Sequence, residues 1–244
     1  MLAKSKLLLP ILVTCLVGSV STAQVTIIGG SIGNGDFEDT SLSASTSGVP
    51  YSLTPAWENI NEDTDPNFRV TQGLAGHPDN AVPGTNVFGA FLFLDRLSGN
   101  TTGYSLVDGD TLSLSFDVSR HGGSWVGDEF VQAVLYTTTA TVDASYNTTT
   151  DVNYSELATF NYTILADPFW QVDVSNANLF TAGPADAGKT VYLAFTLQGG
   201  DASSPFPRID NVELTATPVP EPGTFVILSG IAALGLVMYR RRKA

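Results

Sequence analysis

Residues 111–118 read Thr-Leu-Ser-Leu-Ser-Phe-Asp-Val, a strict alternation of polar and apolar side chains that follows the turn Asp108-Gly109-Asp110. Successive side chains of an extended strand point to opposite faces, so Leu112, Leu114, Phe116 and Val118 line one face and Thr111, Ser113, Ser115 and Asp117 the other. Residues 191–197 repeat the pattern, with Val191, Leu193, Phe195 and Leu197 on one face and Tyr192, Ala194 and Thr196 on the other. A strand with one dry and one wet face belongs to an antiparallel sheet. Further strands are expected at 68–72, 87–94, 130–137, 157–164, 170–174 and 209–215, separated by clusters of Gly, Pro, Asn, Asp and Ser. Outside the two ends no apolar period of 3.6 residues persists beyond two turns. The expected fold class is therefore all-β, an antiparallel β-sandwich or jelly roll, with residues 137–154 as a long hairpin loop rich in Thr, Ser and Asn.

Both ends of the chain depart from this pattern. Lys4 and Lys6 precede an apolar run from Leu7 to Val17, and Ser21-Thr22-Ala23 offers a small-residue cleavage site before Gln24. Residues 1–23 are thus expected to be a signal peptide, with a helical apolar segment, removed by signal peptidase. The single cysteine, Cys15, lies inside it, so the mature chain is expected to hold no disulfide, thiolate metal site or cysteine nucleophile. At the other end, Pro220-Glu221-Pro222 leads into an uncharged run at about 223–239, closed by Arg240, Arg241, Arg242 and Lys243. Basic residues resist translocation, so this run is expected to be a transmembrane helix with residues 240–243 in the cytoplasm and the rest of the chain exported.

That order of motif, span and basic end resembles the PEP-CTERM sorting tail of Gram-negative bacteria, in which Pro-Glu-Pro is read by an exosortase. The resemblance covers residues 218–244. It implies an exosortase partner, anchorage in the inner membrane during transit, and delivery to the cell surface or an extracellular matrix, with exopolysaccharide as the matrix in a biofilm. The apolar stretch from Phe225 to Tyr239 reaches about 22 Å as a helix, short of a hydrocarbon core of about 30 Å. Gly230 and Gly235 weaken it further. A segment held briefly and then cut fits this length better than a permanent anchor, and an unprocessed tail anchor is the alternative.

Between the two ends, residues 24–217 form one expected domain. It holds 5 basic and 23 acidic residues, and 5 minus 23 gives a net charge of −18. Such a surface repels nucleic acid and anionic lipid and suits cations, neutral glycans and solubility outside the cell.

Within this domain, Asn34-Gly35-Asp36-Phe37-Glu38 near its start, Trp57, and Arg208-Ile209-Asp210-Asn211-Val212-Glu213-Leu214 in its last strand resemble the opening and closing signatures of galactose-binding-like jelly rolls, which include many carbohydrate-binding modules. The resemblance implies that the opening and closing segments meet and enclose a structural calcium ion. Strand alternation places Asp210 on the face of Val212 and Leu214, and a carboxylate among core side chains needs a partner. Calcium held by the Glu38 and Asp210 side chains, with backbone carbonyls near Asp36 as further oxygen ligands, is one expectation; an ion pair of Asp210 with Arg208 is the other.

Three motif matches, two catalytic and one calcium-binding, fail on context. Gly29-Gly30-Ser31-Ile32-Gly33 matches a nucleophile elbow letter for letter, but a turn and not a helix is expected to follow. His77 and the His121-Gly122-Gly123 stretch lie in polar loops. Asp63-Thr64-Asp65-Pro66-Asn67 starts like a calcium loop, yet Phe68 stands where glycine is required and Leu74 where glutamate is. The expectation is a protein without catalytic residues.

Glycan binding remains as a candidate function, because sugar C–H faces stack on exposed aromatic rings. Trp125, in the loop Gly122-Gly123-Ser124-Trp125, is the leading candidate, followed by Trp57 and Tyr51. A matrix protein binding extracellular polysaccharide is the leading role. A structural coat without a ligand and a carbohydrate-active hydrolase are the alternatives. Four Asn-x-Ser/Thr sequons, at Asn100, Asn147, Asn153 and Asn161, read as hydrophilic turns.

Overall fold

The computed structural model describes residues 23–37, 49–50, 56–60, 69–72, 88–91, 97–100, 102–119, 129–143, 145–164, 170–199 and 207–219, together with 230, 233–235, 238–239 and 241 in the tail. Twelve strands are described: β1 (Val25–Ile28), β2 (Val49–Pro50), β3 (Trp57–Ile60), β4 (Arg69–Gln72), β5 (Phe88–Phe91), β6 (Leu97–Asn100), β7 (Thr111–Ser119), β8 (Phe130–Thr137), β9 (Ser155–Thr163), β10 (Trp170–Thr181), β11 (Val191–Gln198) and β12 (Arg208–Thr217). They form two antiparallel sheets. One runs β10-β7-β12-β5-β4-β2, with β1 also paired to β12; the other runs β3-β6-β11-β8-β9. The all-β sandwich read from the alternation is the fold, and the eight expected strands are all present.

The alternation decides which faces meet. Leu112, Leu114, Phe116 and Val118 of β7 are buried against Val191, Leu193, Phe195 and Leu197 of β11 and against Val131, Ala133 and Leu135 of β8. Aromatic rings link the sheets: Phe37 meets Trp57 at 5.1 Å, Phe195 meets Phe116 at 5.2 Å edge-on, and Phe116 meets Phe160 at 6.2 Å. Edge-on geometry sets the positive ring edge on the negative face of its neighbour and adds to the gain from burial.

The strand alternation breaks in β12. Asp210 pairs with Asp117 of β7, but Glu213 pairs with Ser115, so β12 holds one residue more than its partner over this stretch. The bulge falls at Asn211, whose φ of 47° is left-handed, a conformation that Asn tolerates better than most residues. A bulge reverses which face follows. Asp210 therefore shares the face of Asp117 and not that of Val212 and Leu214, which corrects the expectation drawn from a regular strand. A second bulge lies on the other side of β7, in β10, where Asp173 has φ 55°. The Asp117 carboxylate ties both together: it accepts the Asp173 N–H at 2.8 Å and the Asn211 side-chain amide at 2.9 Å.

The opening segment is pinned to this bulge. Gly29 and Ile32 exchange backbone hydrogen bonds of 2.9 and 3.0 Å around Gly30-Ser31, a two-residue turn with left-handed Gly30 in its first central position. The chain then passes so close to β12 that Gly35 accepts the Val212 N–H at 2.8 Å, and a Cβ on Gly35 would lie 2.2 Å from the Val212 carbonyl oxygen. Only glycine fits there.

Ala23–Val219 form one compact unit. The described tail residues 230, 233–235, 238–239 and 241 are helical. Among the described residues no helix is long and apolar enough to cross a membrane; most of the expected span at 223–239 lies outside them, as does the expected signal segment.

The clash at Gly35 gives a direct test. Gly35→Ala is expected to cost about 3 kcal/mol or more in thermal or urea unfolding, since the obstacle is backbone. Gly183→Ala, where a Cβ meets nothing closer than 3.8 Å, is expected to stay close to the parent.

Candidate functional site

Trp57, an expected ligand-binding residue, is a core residue. It is 1% exposed, packs between Phe37 and Phe195, and donates its indole N–H to the Asn34 carbonyl at 3.0 Å. The reason is register: Trp57 pairs with Asn100, and Asn100 with Leu193, so all three share the inner face of the five-stranded sheet. Asn100 is itself fully buried and donates its amide to the Gly33 carbonyl at 2.7 Å, which removes it from the hydrophilic-turn reading. Asn161 is likewise in a strand. Trp125, Tyr51 and Glu38 lie outside the described residues, as do Pro220, Glu221, Pro222, Arg240, Arg242 and Lys243; Arg241 is helical and exposed.

The structure does bring aromatic side chains together, on the outer face of the five-stranded sheet. Tyr192 of β11 pairs with Tyr136 of β8, and these rings stack at 5.3 Å and 22°. Tyr136 also stacks on Tyr146 at 6.1 Å and 12° and meets Tyr154 at 5.3 Å. Tyr146 and Tyr154 come from the 138–154 loop, which folds back over the sheet and buries Val142 and Tyr146 against Ile60 and Ala194. Tyr136, which touches the other three rings, and Tyr146 are buried, and Tyr154 and Tyr192 are partly exposed. Further along the same face Gln132 donates its amide to Asn161 at 3.1 Å.

One carboxylate holds the loop. Asp151 Oδ2 accepts the hydroxyls of Thr138 and, at 3.0 Å, of Tyr146, and its Oδ1 accepts the Asn153 N–H at 2.8 Å. The Thr138 bond, followed by the Asn153 N–H, lowers the Asp151 pKa below 3.8. Burial, together with neighbouring tyrosines and Asp151, raises the phenols of Tyr136 and Tyr146, so both rings stay neutral. Glu58, at the β3 edge of this sheet, has a raised pKa from burial and from Asp143.

Of the residues expected at the calcium site, Asp36 and Asp210 are described, and Glu38 is not. Asp36 is half-buried beside the Gly30 turn, and Asp210 is 1% exposed with Oδ1 accepting the Asn211 N–H at 2.8 Å. Arg208 lies on the face of Asp210, and burial lowers its pKa to about 10. Among the described residues no three His, Cys, Asp or Glu side chains converge on one point. A shallow, open cavity of about 410 Å³ lies nearby, lined by Thr26, Gly29, Ile32, Asn211 and Glu213. Ser31, of the nucleophile-elbow match, sits at the tip of the Gly29–Ile32 hairpin, where no helix begins.

The tyrosine face was missed in the sequence because its rings come from separate segments. Outward-facing Tyr192 in the 191–197 alternation was the available signal.

Comparison with known proteins agrees with both halves of the chain. Residues 218–243 match the family model of the PEP-CTERM protein-sorting motif. The tail is that motif, which implies an exported protein sorted to the cell envelope or surface and processing by an exosortase. No curated protein matches the sequence. Among solved structures, the chain is similar to the Stig cyclase FisC from Fischerella sp. TAU, crystallised with (3Z)-3-(1-methyl-2-pyrrolidinylidene)-3H-indole, at 18% identity, 81% coverage of this chain, 100% of that one and a TM-score of 0.53. It is also similar to the CBM22-1 xylan-binding domain of Paenibacillus barcinonensis Xyn10C, at 11% identity, 72% and 100% coverage and a TM-score of 0.41. At such identities the likeness is one of fold alone.

The Asp151 clamp predicts an acid transition. A carboxylate whose pKa is lowered by folding stabilises above its unfolded value and stops doing so as pH falls through the lowered one. The near-ultraviolet circular dichroism of the stacked tyrosines is expected to hold from neutral pH down to about 4 and to decline below it. Asp151→Asn is expected to remove that dependence and lower the melting midpoint at neutral pH.

Proposed function

We propose that the sandwich is a non-enzymatic matrix protein that binds neutral extracellular polysaccharide on the tyrosine face of its five-stranded sheet. The observation that carries this reading is the pair of partly exposed rings, Tyr154 and Tyr192, both held against buried Tyr136, Tyr192 stacked on it and Tyr154 tilted. A ring that is already fixed loses little side-chain entropy when a sugar stacks on it. Gln132, Asn161 and Thr159 on the same face supply uncharged donors and acceptors for hydroxyl groups. The net charge of −18 on residues 24–217 favours a neutral glycan over an anionic one. The surface-sorting signal brings this face to where such polymers lie. Trp125 and Tyr51 are further candidate contacts.

The test is retention of the surface-extracted protein on insoluble neutral polysaccharide. Tyr192→Ala, assayed well below a melting midpoint lowered by the lost stack on Tyr136, is expected to weaken binding about tenfold, equivalent to about 1.4 kcal/mol. Equal retention of parent, Tyr192→Ala and Trp125→Ala would favour a coat protein without ligand, and release of reducing sugar would favour a hydrolase.

A structural calcium ion is a subordinate proposal, favoured by the junction of the opening segment with β12 through Gly35 and Val212. Asp36, Asp210 and Glu38 would hold it with hard oxygen donors. Chelator is then expected to lower the melting midpoint, and an unchanged midpoint removes the ion.

A further inference from the structure

The edges of the two sheets are built differently. β10 ends the larger sheet with two register breaks and a left-handed Asp173. At the opposite edge β2 is two residues long and ends in Pro50. β1 and β3 are four residues each, and β3 carries Glu58. Short length, proline, bulges and charge are the means by which a strand edge avoids pairing with another chain.

β9 lacks these devices over six residues. Ala158-Thr159-Phe160-Asn161-Tyr162-Thr163 keeps unbroken register with β8 from Leu135↔Ala158 to Phe130↔Thr163. The run has no charge, proline or glycine. Six-residue segments of this kind, strong in β-forming side chains, add strands most readily. Among the described residues no strand pairs with β9 on the side away from β8.

We propose that this edge joins two copies of the chain, β9 against β9, antiparallel about a twofold axis, so that two five-stranded sheets become one of ten. A row of backbone N–H and C=O groups is complementary to another strand before anything else. Two copies each carrying −18 over residues 24–217 repel, so they can meet only where the surface is locally neutral, and residues 158–163 supply that. An antiparallel twofold axis passes through a facing residue pair, and through any one of residues 158–163 it sets Glu156 opposite an uncharged residue and never opposite its own copy. The exposed Thr159, Asn161 and Thr163 both donate and accept hydrogen bonds, which suits a self-pairing ladder. The sorting tail delivers all copies to one surface and so raises their effective concentration.

Because Cys15 is the only cysteine and lies in the expected signal peptide, single-cysteine variants report contact cleanly. Thr159→Cys, Asn161→Cys and Thr163→Cys are made in the full chain, displayed on the producing cells and oxidised, with Asn178→Cys in β10 as the exposed control. A disulfide-linked dimer is expected from at least one β9 position and none from Asn178, with yield rising with salt as repulsion is screened. Adding Asn161→Lys to Thr159→Cys or Thr163→Cys is expected to abolish it. Absence of dimer from all three β9 positions at every salt concentration overturns the proposal, including the case in which another segment of the same chain covers the edge. Equal dimer from Asn178→Cys overturns it as well, because random collision would then suffice.

Discussion

The carbonyl of Gly35 takes the N–H of Val212 at 2.8 Å in a gap with no room for a side chain, and this contact closes the molecule. β12 is bonded to β7, β5 and β1, so the strand made last is also the strand that joins the most neighbours. β1, the first strand, begins one residue after the expected mature N-terminus, Gln24, and pairs Val25 with Ala216. The two ends of the passenger therefore leave the sandwich side by side. A sheet with that connectivity cannot be completed until its last strand is present, which suits a domain whose sorting tail follows directly on that strand.

The same junction explains the arrangement of charge. Asp117 and Asp210 face each other across β7 and β12 at 6% and 1% exposure, an unfavourable pairing for two carboxylates left alone. The bulges on either side of β7 supply donors instead: the Asp173 N–H and the Asn211 amide to Asp117, and the Asn211 N–H to Asp210. Buried acid and backbone irregularity stabilise one another here. A strand of perfect alternation would leave these carboxylates without those donors.

What could be read from the sequence follows from this. β7 and β11 alternate over eight and seven residues without interruption, so both their existence and their faces were legible. β12 was legible as a strand but its phase was not, since nothing in Asp210-Asn211-Val212 distinguishes a bulged Asn from a regular one. Trp57 sits on a strand of four residues, too short for alternation to assign a face, and its burial rests on pairing with β6, which was not expected as a strand. The tyrosine face depends on the 138–154 loop folding back, a tertiary event fixed by Asp151 and invisible to local pattern. The sorting tail was fully legible, because a motif read by an enzyme is written in consecutive residues.

The sandwich carries a sorting motif at one end and an expected signal peptide at the other, and both bear on the mass of the mature protein. The most direct measurement is the intact mass of the protein recovered from the cell surface or medium. A mass beginning at Gln24 and lacking the apolar tail is the predicted result; an unprocessed chain of 244 residues recovered from the cytosol would contradict it.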